Sequence, residues 1–238
     1  MNTPTREKQL VDAFTTLADT LVVGYDVVDL LQSLVEDCRD ILDVEAAGIL
    51  LADATGRLEV VASTSEASNL VEILQVDAQA GPCWEAFTTG EIVRLPDLDA
   101  EPERWQRFRD EAHARGFRGV FAIPLRLRDD IIGTLNLLRV QTGDMSERDI
   151  RAARALGDVA TIGILHERSH QDSAVVRRQL QSALDSRIAI EQAKGFIAYQ
   201  NGVSPDQAFQ LILAFARSHK IRLSEVATRL IEHTITLS

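Results

Sequence analysis

The sequence predicts an α+β domain with one central antiparallel sheet flanked by helices, then a helical coiled-coil stalk, then an all-α unit of three helices. Three observations predict it. Short apolar runs of strand composition occur in pairs across turn residues, with helical periods between the pairs. From residue 146 onward every apolar pattern is helical. The charge also divides, because residues 1 to 176 hold 17 Lys+Arg against 31 Asp+Glu, whereas residues 177 to 238 hold 8 against 5. Within a net charge of −11 the last quarter is therefore the only basic part. Such asymmetry points to an anionic partner for that segment, although so small an excess equally suits a solvated surface.

Taken in order, residues 7 to 22 and 27 to 42 have amphipathic helical spacing, the second through Val27, Leu30, Leu31, Leu34, Val35, Cys38, Ile41 and Leu42. Ala46 to Ala52 and Leu58 to Ser63 are two strands of a hairpin turned by Asp53-Ala54-Thr55-Gly56. Ser68 to Leu74 suits a short helix, and Trp84 to Thr89 another that follows the Gly81-Pro82 turn and stops at Gly90. Ile92 to Leu95 is a strand ended by Pro96-Asp97, and Glu101 to Gly116 is a charged loop containing a helix. Gly119 to Leu127 and Ile131 to Val140 form a second hairpin.

These pieces resemble a GAF domain, a small-molecule sensor module. The residues that carry the resemblance are the hairpin Gly48 to Ser63, Gly81-Pro82 with Ala86 and Thr89-Gly90, Val93 and Pro96-Asp97, Ala122-Ile123-Pro124-Leu125, Ile132-Gly133-Thr134-Leu135, and a closing helix from Ser146. The resemblance spans about residues 25 to 168 and implies a pocket for a small-molecule ligand, whose identity no motif here discloses.

Ser146 with Asp149 starts the next helix, whose stripe is Ile150, Ala153, Leu156, Gly157, Ala160 and Ile164. No Gly or Pro lies between Gly163 and Gly195, so a stiff helical connection is expected. Its narrow stripe, Ile164, Val176, Leu180, Leu184 and Ile188, suits a helix that meets one partner, and implies a dimer stalk. After Ile188 the stripe broadens to Ala189, Ile190, Ala193, Phe196 and Ile197, as in a bundle. Asn201-Gly202 ends this helix. Ser204-Pro205-Asp206-Gln207 starts the next with a capping box and Pro at the first position, and a third helix starts near Ser224. The expected divisions are an N-terminal helix in 1–24, a sensor domain in 25–168, a coiled-coil connection in 169–184 and a three-helix domain in 177–238.

The last stretch carries a second resemblance. Leu180, Ala183-Leu184, Arg187, Ile190-Glu191-Gln192-Ala193-Lys194-Gly195, Asp206-Gln207-Ala208-Phe209, Leu211 and Ala216 resemble an ANTAR domain, the RNA-binding module of bacterial antiterminators. What this implies is a homodimer that binds paired RNA hairpins in a leader transcript, with Lys194 and Arg187 meeting RNA and Gln192 beside them. On spacing alone Arg187 and Lys194 pair with Glu191 as ordinary helical neighbours, and the resemblance shifts the balance toward RNA. Tyr199 stands evenly between core rim and RNA contact. Arg217, Lys220 and Arg222 extend the basic surface or are simply solvated. Phe196, Phe209 and Phe215 have the spacing of core residues. Gly195 marks helix packing or close RNA approach, with packing preferred.

The remaining classes find little support. Cys38 and Cys83 are too few for a disulfide framework and are expected as reduced, structural thiols. His166 and His170 have helical metal spacing without a third ligand. No catalytic constellation or P-loop is present, so no enzyme is expected. No apolar run is long enough to span a bilayer, and the N-terminus lacks a signal peptide, so the expected place is the cytoplasm. Two rival readings stay open: a DNA-binding helix-turn-helix with Ser224 to His233 as reader, and a dimerising module that recruits a protein.

Overall fold

The structure is a computed structural model that describes residues 5–22, 27–53, 55–100, 103–127, 130–166 and 173–237. Five strands, β1 (Ala46–Ala52), β2 (Leu58–Ser63), β3 (Val93–Leu95), β4 (Gly119–Leu127) and β5 (Asp130–Arg139), make one antiparallel sheet of order β2-β1-β5-β4-β3. β1 lies between β2 and β5 and is buried at every position, which is why its sequence is a continuous apolar run without alternation.

Side-chain alternation divides the sheet between two layers. Ala47, Ile49, Leu51, Leu135 and Leu137 join the core under α1 (Arg6–Val22), α2 (Val27–Ile41) and α6 (Glu147–His166). Ala46, Leu50 and Leu138 face α3 (Glu66–Ala78), α4 (Pro82–Thr89) and α5 (Gln106–Ala114). Helix α3 is longer at both ends than the run Ser68 to Leu74. Ser65 caps it by accepting from the Ser68 N–H, so the helix starts before its apolar pattern does.

The last three helices are α7 (Ser173–Asn201), α8 (Pro205–His219) and α9 (Leu223–Ile231). The capping box at Ser204 and Gln207 forms with both of its hydrogen bonds, and Gly202 takes the left-handed conformation that ends α7. Phe209 is buried, whereas Phe196 and Phe215 are half-buried, resting edge-on to His233 and stacked on His219 respectively.

These helices do not stand away from the sheet domain. Helix α7 lies against α2 and β2, α9 also reaches α2, and one apolar core runs from Leu30 and Leu34 of α2 to Ile190, Ala193 and Leu230. Of the stalk positions, Leu184 is buried in this core and Ile188 is 56% exposed. The side chains of Ile164, Val176 and Leu180, and the expected continuous helix across residues 167–172, lie outside the described residues. Gly195 requires a correction. A Cβ there would meet nothing within 4 Å, and the residue is exposed, so no packing inside the chain explains it.

Candidate nucleic-acid interface

Among the described side chains of α7 the buried ones are Ala183, Leu184, Ile190, Ala193, Lys194 and Ile197, a helical stripe that includes a lysine. Arg187 lies two turns before Lys194, and along this side α7 packs on α8 and α9 and also meets β2 and α2. Lys194 is only 7% exposed. Its Nζ donates to Glu66 Oε1 at the start of α3 and lies 2.5 Å from Glu191 Oε2, one turn before it on α7. Glu191 Oε1 is in turn 2.5 Å from Arg187 Nη2. A buried ammonium demands such pairing, because an isolated charge at that depth is severely penalised.

Around this pair the two halves of the chain cap each other's helices. The Glu66 N–H, unsatisfied within α3, donates to Asp206 Oδ1 of α8 at 2.8 Å. In the other direction Arg222, the N-cap residue of α9, supplies no side-chain cap. The Leu223 N–H instead donates to Asp29 of α2, at 3.0 Å to Oδ1 and 3.3 Å to Oδ2. Further along the seam Arg217 Nη2 is 2.5 Å from Glu36 Oε2. Neighbouring Asp37 is pushed up to about 6, first by burial and then by Glu36 and Asp40, with Arg217 opposing the shift.

The family model of the GAF domain matches residues 25–165. The chain belongs to the GAF family. The ANTAR domain model matches residues 178–231, so a GAF domain is followed here by an ANTAR domain. No curated protein matches the chain. Solved structures similar to it include the GAF domain from the Acinetobacter phosphoenolpyruvate-protein phosphotransferase, with TM-score 0.52 and 19% identity over 68% of this chain and 96% of that one. The GAF domain of the corresponding Coxiella burnetii protein has TM-score 0.54 and 14% identity, over 68% of this chain and 96% of that one. A free methionine-R-sulfoxide reductase from Neisseria meningitidis, solved with its substrate, has TM-score 0.50 and 13% identity, over 78% of this chain and 96% of that one. At these identities the likeness is one of fold.

The seam is thus the boundary between the GAF and ANTAR domains, and it brings together only part of the expected RNA set. Lys194 and Arg187 lie within it and Arg217 at its edge. Gln192 and Tyr199 point away, Tyr199 being 91% exposed. Lys220 ends α8 with a positive φ of 54°, and it and Arg222 are exposed beside the loop to α9. Sequence reasoning missed Asp29, Glu36 and Glu66 as acidic partners of the seam, and read Asp206 only as part of a helix start and of the ANTAR motif. The excess of negative charge before residue 177 is the only sequence signal of the first three. In the GAF domain Cys38 and Cys83 are buried free thiols whose pKa burial pushes up. Among the described residues no group of three or more His, Cys, Asp or Glu is arranged to hold a metal, and no helix is long and apolar enough to cross a membrane.

Proposed function

We propose that this chain is a cytoplasmic, signal-responsive regulator of transcription antitermination, and that the arrangement described is its closed, RNA-free form. Its GAF domain senses a small molecule or a partner. Its ANTAR domain binds paired hairpins of a leader transcript as a homodimer, two weak sites gaining affinity by effective concentration. The observation that carries the reading is the position of Lys194, the residue that the ANTAR motif offers to RNA, between the carboxylates of Glu66 and Glu191. A lysine so enclosed cannot meet phosphate until the domains part. Glu66 occupies the place of the phosphate, and the acidic GAF domain competes with RNA for the same cation.

Two substitutions at one ion pair separate this reading from its rivals, because they act in opposite directions. Glu66→Gln leaves Lys194 in place and removes the competing charge, so affinity for a twin-hairpin RNA rises about tenfold. Lys194→Ala also breaks the pair but removes the RNA contact, so binding is lost while the helical content stays. Gel shifts with duplex DNA as competitor measure both. Equal losses in the two variants make Lys194 a purely structural cation, and preference for the duplex makes the C-terminal helices a DNA reader.

A further inference from the structure

Beside the pair of Lys194 and Glu66 the two domains leave a cleft between them. Its volume is about 340 Å³, within the range of small-molecule sites. One wall belongs to the GAF domain, where Val60 of β2 and Ile73 and Val76 of α3 present apolar surface. Asn69 stands one turn before Ile73 and two turns before Val76, so a single face of α3 supplies an amide and two apolar groups together. The other wall is α7 of the ANTAR domain, with Arg187 and Glu191. Two of these residues are left incomplete by the chain. Ile73 keeps 39% of its surface exposed, whereas Asn69 is only 7% exposed and among the described residues nothing hydrogen-bonds its side-chain amide. Buried amides are ordinarily satisfied, so an unpartnered one beside an open apolar wall marks a place for a further molecule.

The chemistry of that molecule follows from what the cleft has already satisfied. Its ions pair among themselves, Arg187 lying 2.5 Å from Glu191 and Arg57 3.7 Å from Asp77 on the exposed side. Glu59, which also lines the cleft, disfavours an anion, and the two guanidiniums disfavour a cation. A neutral ligand disturbs none of these. The Asn69 amide offers a donor and an acceptor side by side, and its complement is a molecule that carries an acceptor and a donor at the same spacing. Carboxamides and lactams have that edge. Their hydrocarbon part then lies on Val60, Ile73 and Val76, and covers the exposed side of Ile73.

We propose that the cleft between α3 and α7 binds a small uncharged molecule of the carboxamide or lactam class, held by the Asn69 amide and the apolar wall of Val60, Ile73 and Val76. Because such a ligand touches both domains, it binds the closed form better than the open one and so favours closure. The site itself is independent of the function proposed above. Only the consequence, that the ligand keeps Lys194 from RNA, rests on that reading, and the measurements below contain no RNA.

The full chain is titrated by calorimetry and thermal shift with benzamide and δ-valerolactam. Methyl benzoate serves as an acceptor without the donor, and benzoate and benzylamine as charged controls of similar shape. At least one of the two amides binds saturably, and the three controls bind at least tenfold more weakly. Asn69→Leu, which keeps the bulk and removes the amide, weakens binding more than tenfold. Ile73→Asp, a change at an exposed position, weakens it severalfold and decides the matter if Asn69→Leu does not fold. Hydrogen exchange in the bound protein slows on both walls, in α3 and around Arg187 to Glu191 of α7. Absence of saturable binding by both amides, or wild-type affinity in Asn69→Leu and Ile73→Asp, overturns the site. Equal binding of methyl benzoate overturns the amide edge, and slowing confined to α3 overturns the bridge between the domains.

Discussion

Glu72 carries a carboxyl whose ionisation differs between the folded and unfolded chain. Burial pushes its carboxyl up to about 8 from an ordinary 4.5, and Arg187 and Asn136 oppose the shift. Buried Cys83 faces it from α4 and is itself pushed up, by burial and then by Glu72. Between those two values the folded protein keeps a proton that the unfolded chain has released. The stability from this group is therefore full below about pH 4.5 and is lost as the pH rises through about 8. In Glu72→Gln that dependence disappears. Denaturant unfolding between pH 5 and pH 8.5 should show the wild type losing about 4 kcal/mol relative to the variant. Parallel pH profiles would mean that Glu72 is ionised in the folded state. Beside it Gly48 contributes only space, since any side chain there would occupy the position of this carboxylate.

At the scale of elements, most of what the sequence announces is local. Ser204 and Gln207 cap α8 from within four residues, and Gly202 ends α7 from within its own backbone, so both ends are legible and form as expected. The seam is different. Asp29 caps α9 and Asp206 bonds the start of α3, and no period or motif links residues so far apart. The helical stripe of α7 likewise locates Arg187 and Lys194 on one face, but whether that face meets RNA or carboxylates depends on the fold of a separate domain. The first two residues of α3, Glu66 and Ala67, were hidden for a related reason, because the start of the helix is set by the Ser65 cap and by Asp206 rather than by apolar spacing. Gly195 offers a test confined to one helix. It is exposed, in α7, with open space where a Cβ would stand. Gly195→Ala should raise stability by about 0.5–1 kcal/mol through helix propensity alone. If RNA approaches the backbone there, the same variant binds RNA more weakly despite its higher stability. Unchanged RNA affinity in calorimetric titrations removes close approach as the reason for this glycine.

For the whole molecule the question is what holds two domains of opposite charge together, and the seam contains both possible answers. One is the shared apolar core from α2 to α7 and α9, which does not respond to charge. The other is electrostatic, through Lys194 with Glu66 inside the seam and Arg217 with Glu36 at its edge. Closure lowers the apparent RNA affinity in proportion to the small open fraction, so a closed state favoured by about 2 kcal/mol weakens binding roughly thirtyfold. Charge exchange at the edge distinguishes the two answers without disturbing Lys194. Glu36→Lys sets a cation against Arg217, and because that pair is partly exposed the expected effect is modest, about 1 kcal/mol toward the open form. Small-angle scattering then shows a larger radius of gyration, and hydrogen exchange rises in α8 and α9. Adding Arg217→Glu to this variant reverses the pair, restores the attraction and returns both readings to wild-type values. If Glu36→Lys is as compact and as protected as the wild type, the apolar core alone keeps the domains closed, and opening must begin by parting that core rather than at the charged edge.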